Sequence, residues 1–131
     1  MLKCKVQIPD TGQELLLANT HLDLTQKGRN LQMNMLVKHM EQEIDTPWVL
    51  VGDFNDWNKK ISPRIEHLLE AEEVFKKLHG KYPPTFPSFM PMLSLDRVFI
   101  RKVQAVKALA LTDSHWKNLS DHLPLYVEIE I

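Results

Sequence analysis

From Leu2 to Ile8 apolar and polar residues alternate, with Leu2, Cys4, Val6 and Ile8 on one side, the period-two pattern of a strand. Pro9-Asp10-Thr11-Gly12 is a turn signal, and Glu14 to Leu22 reads as a second strand, so the chain is predicted to open with a hairpin. Thr25 to Ile44 carries the longest helical pattern, with Met33, Leu36, Val37, Met40 and Ile44 on one face and Pro47 as the breaker. Trp48 to Gly52 is apolar without alternation, which predicts a central strand buried on both faces. Ser62-Pro63 reads as a helix start, with Ser as N-cap and Pro at the first helical position. That helix is predicted to run to Leu78 and to end at Gly80. Tyr82 to Pro91 holds four of the eight prolines and is expected to be extended or irregular. Ser94–Ile100, Val103–Leu111 and His122–Ile131 read as strands, the last with Leu125, Val127, Ile129 and Ile131 alternating. The order is two strands, helix, strand, helix, three strands. This is a mixed α/β (α+β) pattern, and its strand-only end argues against a regular doubly wound sheet.

Composition adds bounds to this pattern. At 131 residues the chain has one domain's length, and with 44% hydrophobic and 25% charged residues it can build a core. No run approaches the ~20 apolar residues of a membrane span. Met1 to Val6 lacks the long hydrophobic stretch of a signal peptide, so a cytosolic location is expected. The single cysteine, Cys4, excludes an internal disulfide framework. A net charge of −1 counts against a broad basic surface for nucleic acid. Three basic clusters (Lys59, Lys60 and Arg64; Lys76, Lys77 and Lys81; Arg97, Arg101 and Lys102) read first as solvated surface charge.

Four polar clusters sit at the ends of predicted strands, where a sheet can present side chains to a shared site. They are Asn19-Thr20-His21-Leu22-Asp23, Gly52-Asp53-Phe54-Asn55-Asp56, Ser94-Leu95-Asp96-Arg97 and Ser120-Asp121-His122-Leu123-Pro124. In the second, alternation puts Asp53 and Asn55 on one side and Phe54 on the other. The carboxylate can hold a hard cation or take a proton from water, and the amide can donate to a developing oxyanion. A plain turn explains the same residue types. Asp121 and His122 face opposite ways in an extended strand but reach one site in a bend. Asp96, a lone acid in the apolar segment Leu95–Ile100, is a candidate partner for a histidine, because a buried carboxylate needs one. Asn19 and His21 alternate onto one face, a pattern equally suited to a strand end capped by polar residues.

The four segments Asn-Thr-His-Leu from Asn19, Gly-Asp-Phe-Asn from Gly52, Leu-Asp-Arg-Val from Leu95 and Ser-Asp-His-Leu-Pro from Ser120, in this order, resemble the exonuclease–endonuclease–phosphatase (DNase I-like) superfamily, and most of all small bacterial members of uncertain substrate. The resemblance implies half of a DNase I-like two-sheet β-sandwich with flanking helices. It implies that Asp53 activates the attacking water near a metal, usually Mg²⁺ and sometimes Mn²⁺. By the same resemblance Asn55 stabilises the pentacovalent phosphorus, Asp121 contributes to the metal site, His122 contacts the scissile phosphate, Asp96 pairs with that His, and His21 contacts phosphate or aids proton transfer. The implied reaction is in-line attack of water on a phosphoester.

The chain departs from the family pattern in length. A complete domain is roughly twice as long, and its first half supplies an Asn and a metal-binding Glu, so residues 1–131 are expected to form a truncated domain, the C-terminal half. The expected partners are a phosphoester substrate (nucleic acid, lipid headgroup or small phosphate ester) and either a second copy of the chain or the missing N-terminal half. Three readings follow: a Mg²⁺-dependent phosphoester hydrolase, a catalytically impaired binding module or part of a split enzyme, and a globular domain in which the clusters are turns. Trp57 and Trp116 are expected beside the site loops.

Overall fold

The computed structural model describes residues 1–131. Its elements are the strands Leu2–Gln7 (β1) and Glu14–His21 (β2), the helix Gln26–Met40 (α1), the strand Trp48–Asp53 (β3), the helix Ser62–Leu69 (α2), the two-residue strand Glu72–Glu73 (β4), the helix Val74–His79 (α3), the strands Asp96–Arg101 (β5) and Gln104–Ala110 (β6), the short helix Ser114–Lys117 (α4) and the strand Leu125–Glu130 (β7). Five strands form one sheet in the order β1-β2-β3-β5-β4, and β6 and β7 form a second, two-stranded sheet. β1 and β2 are the antiparallel hairpin expected from the turn at Pro9–Gly12. β2 and β3 are parallel, which requires a crossover, and α1 provides it. β3 and β5 are antiparallel, so the sheet is mixed.

Trp48 and Leu50 of β3 and Leu16 and Ala18 of β2 face the helices. There they bury with Met33, Leu36, Val37 and Met40 of α1 and with Ile65 and Leu69 of α2. Ile44, assigned to the same helical face by its spacing, is instead half-exposed, because α1 ends at Met40 and a 3₁₀ turn, Glu41–Glu43, follows. The opposite sheet face packs Leu15, Val49, Val98 and Ile100 against Ala105 and Ala108 of β6 and Leu125, Val127 and Ile129 of β7. β3 therefore buries apolar side chains on both faces, in keeping with its unbroken apolar run.

The helix expected from Ser62 to Leu78 is two helices. Glu70 turns left-handed at φ 48 after α2, and Glu72 and Glu73 then pair with Ile100 and Phe99 of β5. Glu73, fully buried, accepts the N–H of Lys76 at 2.7 Å and caps α3. The apolar spacing hides this break, because Ile65 and Leu69 before it and Val74 and Phe75 after it each satisfy a buried helical face. Ser62 is not the N-cap. Ile61 holds that position and Pro63 still lies in the first turn. The proline-rich segment is irregular, with a single bridge, Phe86 to Leu93, and a cis Phe86–Pro87 bond. No helix is long and apolar enough to cross a membrane.

Candidate active site

The strand register assembles the site. His21 lies opposite Asp53, and Asp53 lies opposite Asp96, so the last residues of β2 and β3 and the first residue of β5 form a row across three strands. Residues opposite one another in neighbouring strands share a face. The row therefore points to the side of the sheet away from α1 and α2. Gly52, one residue before it, has φ +147, and a Cβ there would lie 1.8 Å from the Thr20 carbonyl oxygen, so β2 and β3 approach closely only because residue 52 is glycine.

Beyond β3 the chain bends. Phe54 is fully buried on the helix side, its ring edge-on to Phe99 at 5.2 Å. Asn55 takes a left-handed conformation, and its N–H donates to Asp53 Oδ1 at 2.8 Å. Its side-chain Nδ2 donates to the Leu22 carbonyl at 2.7 Å. One amide hydrogen of Asn55 is thus committed to the fold and ties the end of β2 to the loop after β3.

His122 reaches the row from the bend before β7. Its Nδ1 is 2.8 Å from Asp96 Oδ2, which also accepts the Thr85 hydroxyl at 2.5 Å. With Nδ1 held by the carboxylate, Nε2 is the free nitrogen, and it lies 3.9 Å from Asp53 Oδ2. The Phe86 ring packs 5.1 Å from the imidazole. His21, largely exposed, places its Nε2 3.3 Å from the same Asp53 oxygen. Asp53, Asp96 and His122 bring one ligand atom each within 4.8 Å of one another, a set with the chemistry to hold a metal ion. Asp121 lies outside this set. It is exposed, its carboxylate accepts the Ser120 hydroxyl at 3.5 Å, and its carbonyl accepts the N–H of Ser88 at 2.8 Å.

The charges of the site are coupled. Burial pushes the Asp53 carboxyl up, the Asn55 N–H opposes this, the Asp96 charge adds to it, and the two histidines oppose it; the net shift is upward. Burial alone would lower the His122 pKa, but the hydrogen bond and charge of Asp96, with Asp53 and Asp121, outweigh it and raise the value above 6.5. A carboxylate that is harder to ionise faces an imidazole that is easier to protonate.

The row opens on a cleft of about 770 Å³, lined by His21, Asp53, Asn55 and His122 with Trp57, Phe86 and other apolar side chains. Asp96 stands behind His122, and Trp116 is not part of the lining. A second network fixes the loop after β3. Asp56, fully buried, accepts the N–H groups of Lys60, Ile61 and Ser62 and the Ser62 hydroxyl at 2.7–2.9 Å. Arg97 donates to Ser62 Oγ at 2.9 Å and to the Asp56 carbonyl at 3.1 Å, and stacks on Tyr82. Arg97 is therefore a buried anchor rather than surface charge, which corrects the reading of its basic cluster. Asp56 and Arg97 escaped the sequence reading as support for the site. An acid shortly before a Ser-Pro helix start was the available signal for Asp56.

With this geometry in place, comparison with known proteins is informative. No family model matches the chain. The uncharacterized protein YbhP of Escherichia coli (strain K12) is 36% identical across an alignment of 132 positions that takes in all of this chain and 52% of YbhP. The structure of the endonuclease/exonuclease/phosphatase from Bacteroides vulgatus superposes with a TM-score of 0.81 at 19% identity, over 97% of this chain and 53% of that one. The chain has the endonuclease/exonuclease/phosphatase fold. It spans about half of that fold, with two sheets and flanking helices. The human Nocturnin catalytic domain (TM-score 0.78, 22% identity, 96% and 50% covered) and the Bacteroides thetaiotaomicron mannosyl-6-phosphatase Bt3783 (0.75, 22%, 95% and 54%) share it. The four sequence segments that suggested this fold all come together in it, at one end of the five-stranded sheet.

Proposed function

We propose that this chain carries the part of a phosphoester hydrolase that orients water and protonates the leaving group. The observation that carries the proposal is the Asp96–His122–Asp53 arrangement, a histidine fixed through Nδ1 with Nε2 turned toward a second, partly buried carboxylate. In this reading Asp96 fixes the tautomer of His122, and His122 donates a proton from Nε2 to an oxygen of the phosphoester. Asp53, its free Oδ2 accepting no backbone N–H, takes a proton from the attacking water, while Asn55 keeps one amide hydrogen for the charge that develops on phosphorus oxygens. His21 adds a second imidazole at the cleft mouth. Likeness to a named phosphatase and to nuclease-type structures supports phosphoesters as the substrate class, and the low net charge favours a small phosphate ester or headgroup over long duplex DNA.

The donor set fits a divalent cation such as Mg²⁺ or Mn²⁺. Burial and the neighbouring Asp96 make ionised Asp53 costly, an imbalance that a cation would offset. Asp96 Oδ2 is occupied by Thr85 and His122, so Asp53 is the carboxylate that would hold the ion. When bound, such an ion offsets charge on the phosphoryl oxygens. Mg²⁺ keeps several waters and needs only one or two protein carboxylates, which matches this small set. Calorimetric titration is expected to show weak Mg²⁺ binding that Asp53→Asn removes.

The test is hydrolysis of bis(4-nitrophenyl) phosphate by the purified chain, with Mg²⁺ or with chelator, beside His122→Ala. Metal-stimulated turnover that falls by ~10²–10⁴ in the variant is expected. Equal rates for the two proteins would overturn the assignment of His122.

A further inference from the structure

His122 precedes the first residue of β7, Leu125, so no strand ladder fixes it. The ties within its own bend are long. The His122 N–H meets Ser120 Oγ at 3.2 Å, and the Ser120 hydroxyl reaches the exposed Asp121 carboxylate at 3.5 Å. A side chain in such a bend keeps one geometry only when other parts of the chain hold the bend.

The segment Thr85-Phe86-Pro87-Ser88 does so from both sides of His122. The Thr85 carbonyl accepts the N–H of Leu123 at 2.8 Å, and the Ser88 N–H donates to the Asp121 carbonyl at 2.8 Å. The Ser88 hydroxyl reaches the Ser120 carbonyl at 2.6 Å and the Lys117 carbonyl at 3.0 Å. Between these ties the Phe86 ring packs 5.1 Å from the imidazole. Thr85, Ser88 and Leu123 are all buried.

The same segment holds the partner of His122. Thr85 donates its one hydroxyl hydrogen to Asp96 Oδ2 at 2.5 Å, the oxygen that meets His122 Nδ1 at 2.8 Å. Thr85 is itself anchored, since its N–H donates to the Leu93 carbonyl at 2.9 Å while its own carbonyl is taken by Leu123. A hydroxyl fixed in this way restrains rotation of the Asp96 carboxylate. One four-residue strap thus reaches both members of the Asp96–His122 pair, and every partner it uses lies within this chain.

We propose that Thr85 and Ser88 are positioning residues: Thr85 orients the Asp96 carboxylate and Ser88 the bend, so that His122 turns Nε2 to the cleft. Neither residue lines the cleft, so both act through His122. The inference deepens the reading of His122 as proton donor, and its effect on rate rests on that reading.

The test is nitrogen NMR of the metal-free chain labelled with ¹⁵N-histidine, the His122 signals assigned with His122→Gln. Spectra are taken at about pH 9, where an imidazole is neutral. The parent is expected to carry its ring proton on Nδ1 and to leave Nε2 bare. Thr85→Val keeps the shape and removes the donor, and it should mix the two tautomers, moving the two nitrogen shifts toward each other. Thr85→Ser, which keeps the donor, should restore the parent signals. Ser88→Ala should act in the same direction as Thr85→Val. Thermal melting establishes that each variant is folded, and Thr85→Ala stands in for Thr85→Val if the latter does not fold. Turnover of bis(4-nitrophenyl) phosphate in Mg²⁺ should fall in kcat by roughly 10- to 100-fold in Thr85→Val, with KM unchanged. Parent-like His122 signals in folded variants lacking either hydroxyl would overturn the proposal, whatever the rates. Absence of turnover in the parent would count against the hydrolase reading alone, because the ring signals are read without substrate or metal.

Discussion

At the scale of single residues, burial makes Asp53 harder to ionise in the folded chain than in the unfolded one. Its pKa is raised in the folded chain. A group shifted this way favours folding while protonated; the contribution is complete below the unfolded carboxyl value and is lost as pH rises through the raised one. Ionised Asp53 at neutral pH therefore weighs against the fold. Asp53→Asn retains an acceptor for the Asn55 N–H, so its melting temperature at pH 7 is expected to exceed that of the unsubstituted chain, with the difference closing toward pH 3. A difference independent of pH would contradict the shift. His122 has the opposite charge type and also a raised value, so its protonated form supports the fold below the ordinary imidazole pKa of 6.5, and that support is lost as pH rises through the raised value. Asp96→Asn removes the main cause of the rise. Imidazole proton shifts followed by NMR should show His122 titrating above 6.5 in the parent chain and at lower pH in the variant, while an unchanged titration would mean that Asp96 does not govern it.

Among the elements, β3 carries both the core and the site, and its substitutions should separate the two. Leu50 is fully buried, so Leu50→Ala is expected to cost ~2–5 kcal/mol in chemical denaturation without reaching the cleft. Gly52→Ala should be at least as damaging despite its single added carbon, because that carbon meets backbone at 1.8 Å and no side chain can move aside. Equal stability of Gly52→Ala and the parent would show that β2 and β3 can separate there. The hairpin, α1, β3 and the last strands were legible in the sequence, because each writes a strong period or an unbroken apolar run. The four polar segments were legible because they end strands. The break between α2 and α3 was hidden by apolar spacing that continues through it. Arg97 was hidden for a different reason: it is satisfied by residues distant in sequence, reaching back 35 positions to Ser62 and 41 to the Asp56 carbonyl. Local patterns do not encode such partners, and a buried Arg looks the same as a surface one until the chain folds. The committed amide of Asn55 is likewise a property of the left-handed turn after β3, not of strand alternation.

For the whole molecule, a row of three residues supplied by three neighbouring strands is rigid, and a histidine from the bend before β7 completes it. That division places Asp53 and Asp96 on the sheet and His122 beside a loop, an arrangement suited to a substrate held in the cleft. The most direct measurement is phosphodiester turnover by the purified chain in Mg²⁺, set beside Asp53→Asn, with both proteins melted under the assay conditions. Turnover by the parent, absent from a variant that melts at the same or a higher temperature, is the expected result. Equal turnover by both, or loss of activity only in step with unfolding, would contradict a catalytic role for Asp53 and with it the hydrolase assignment.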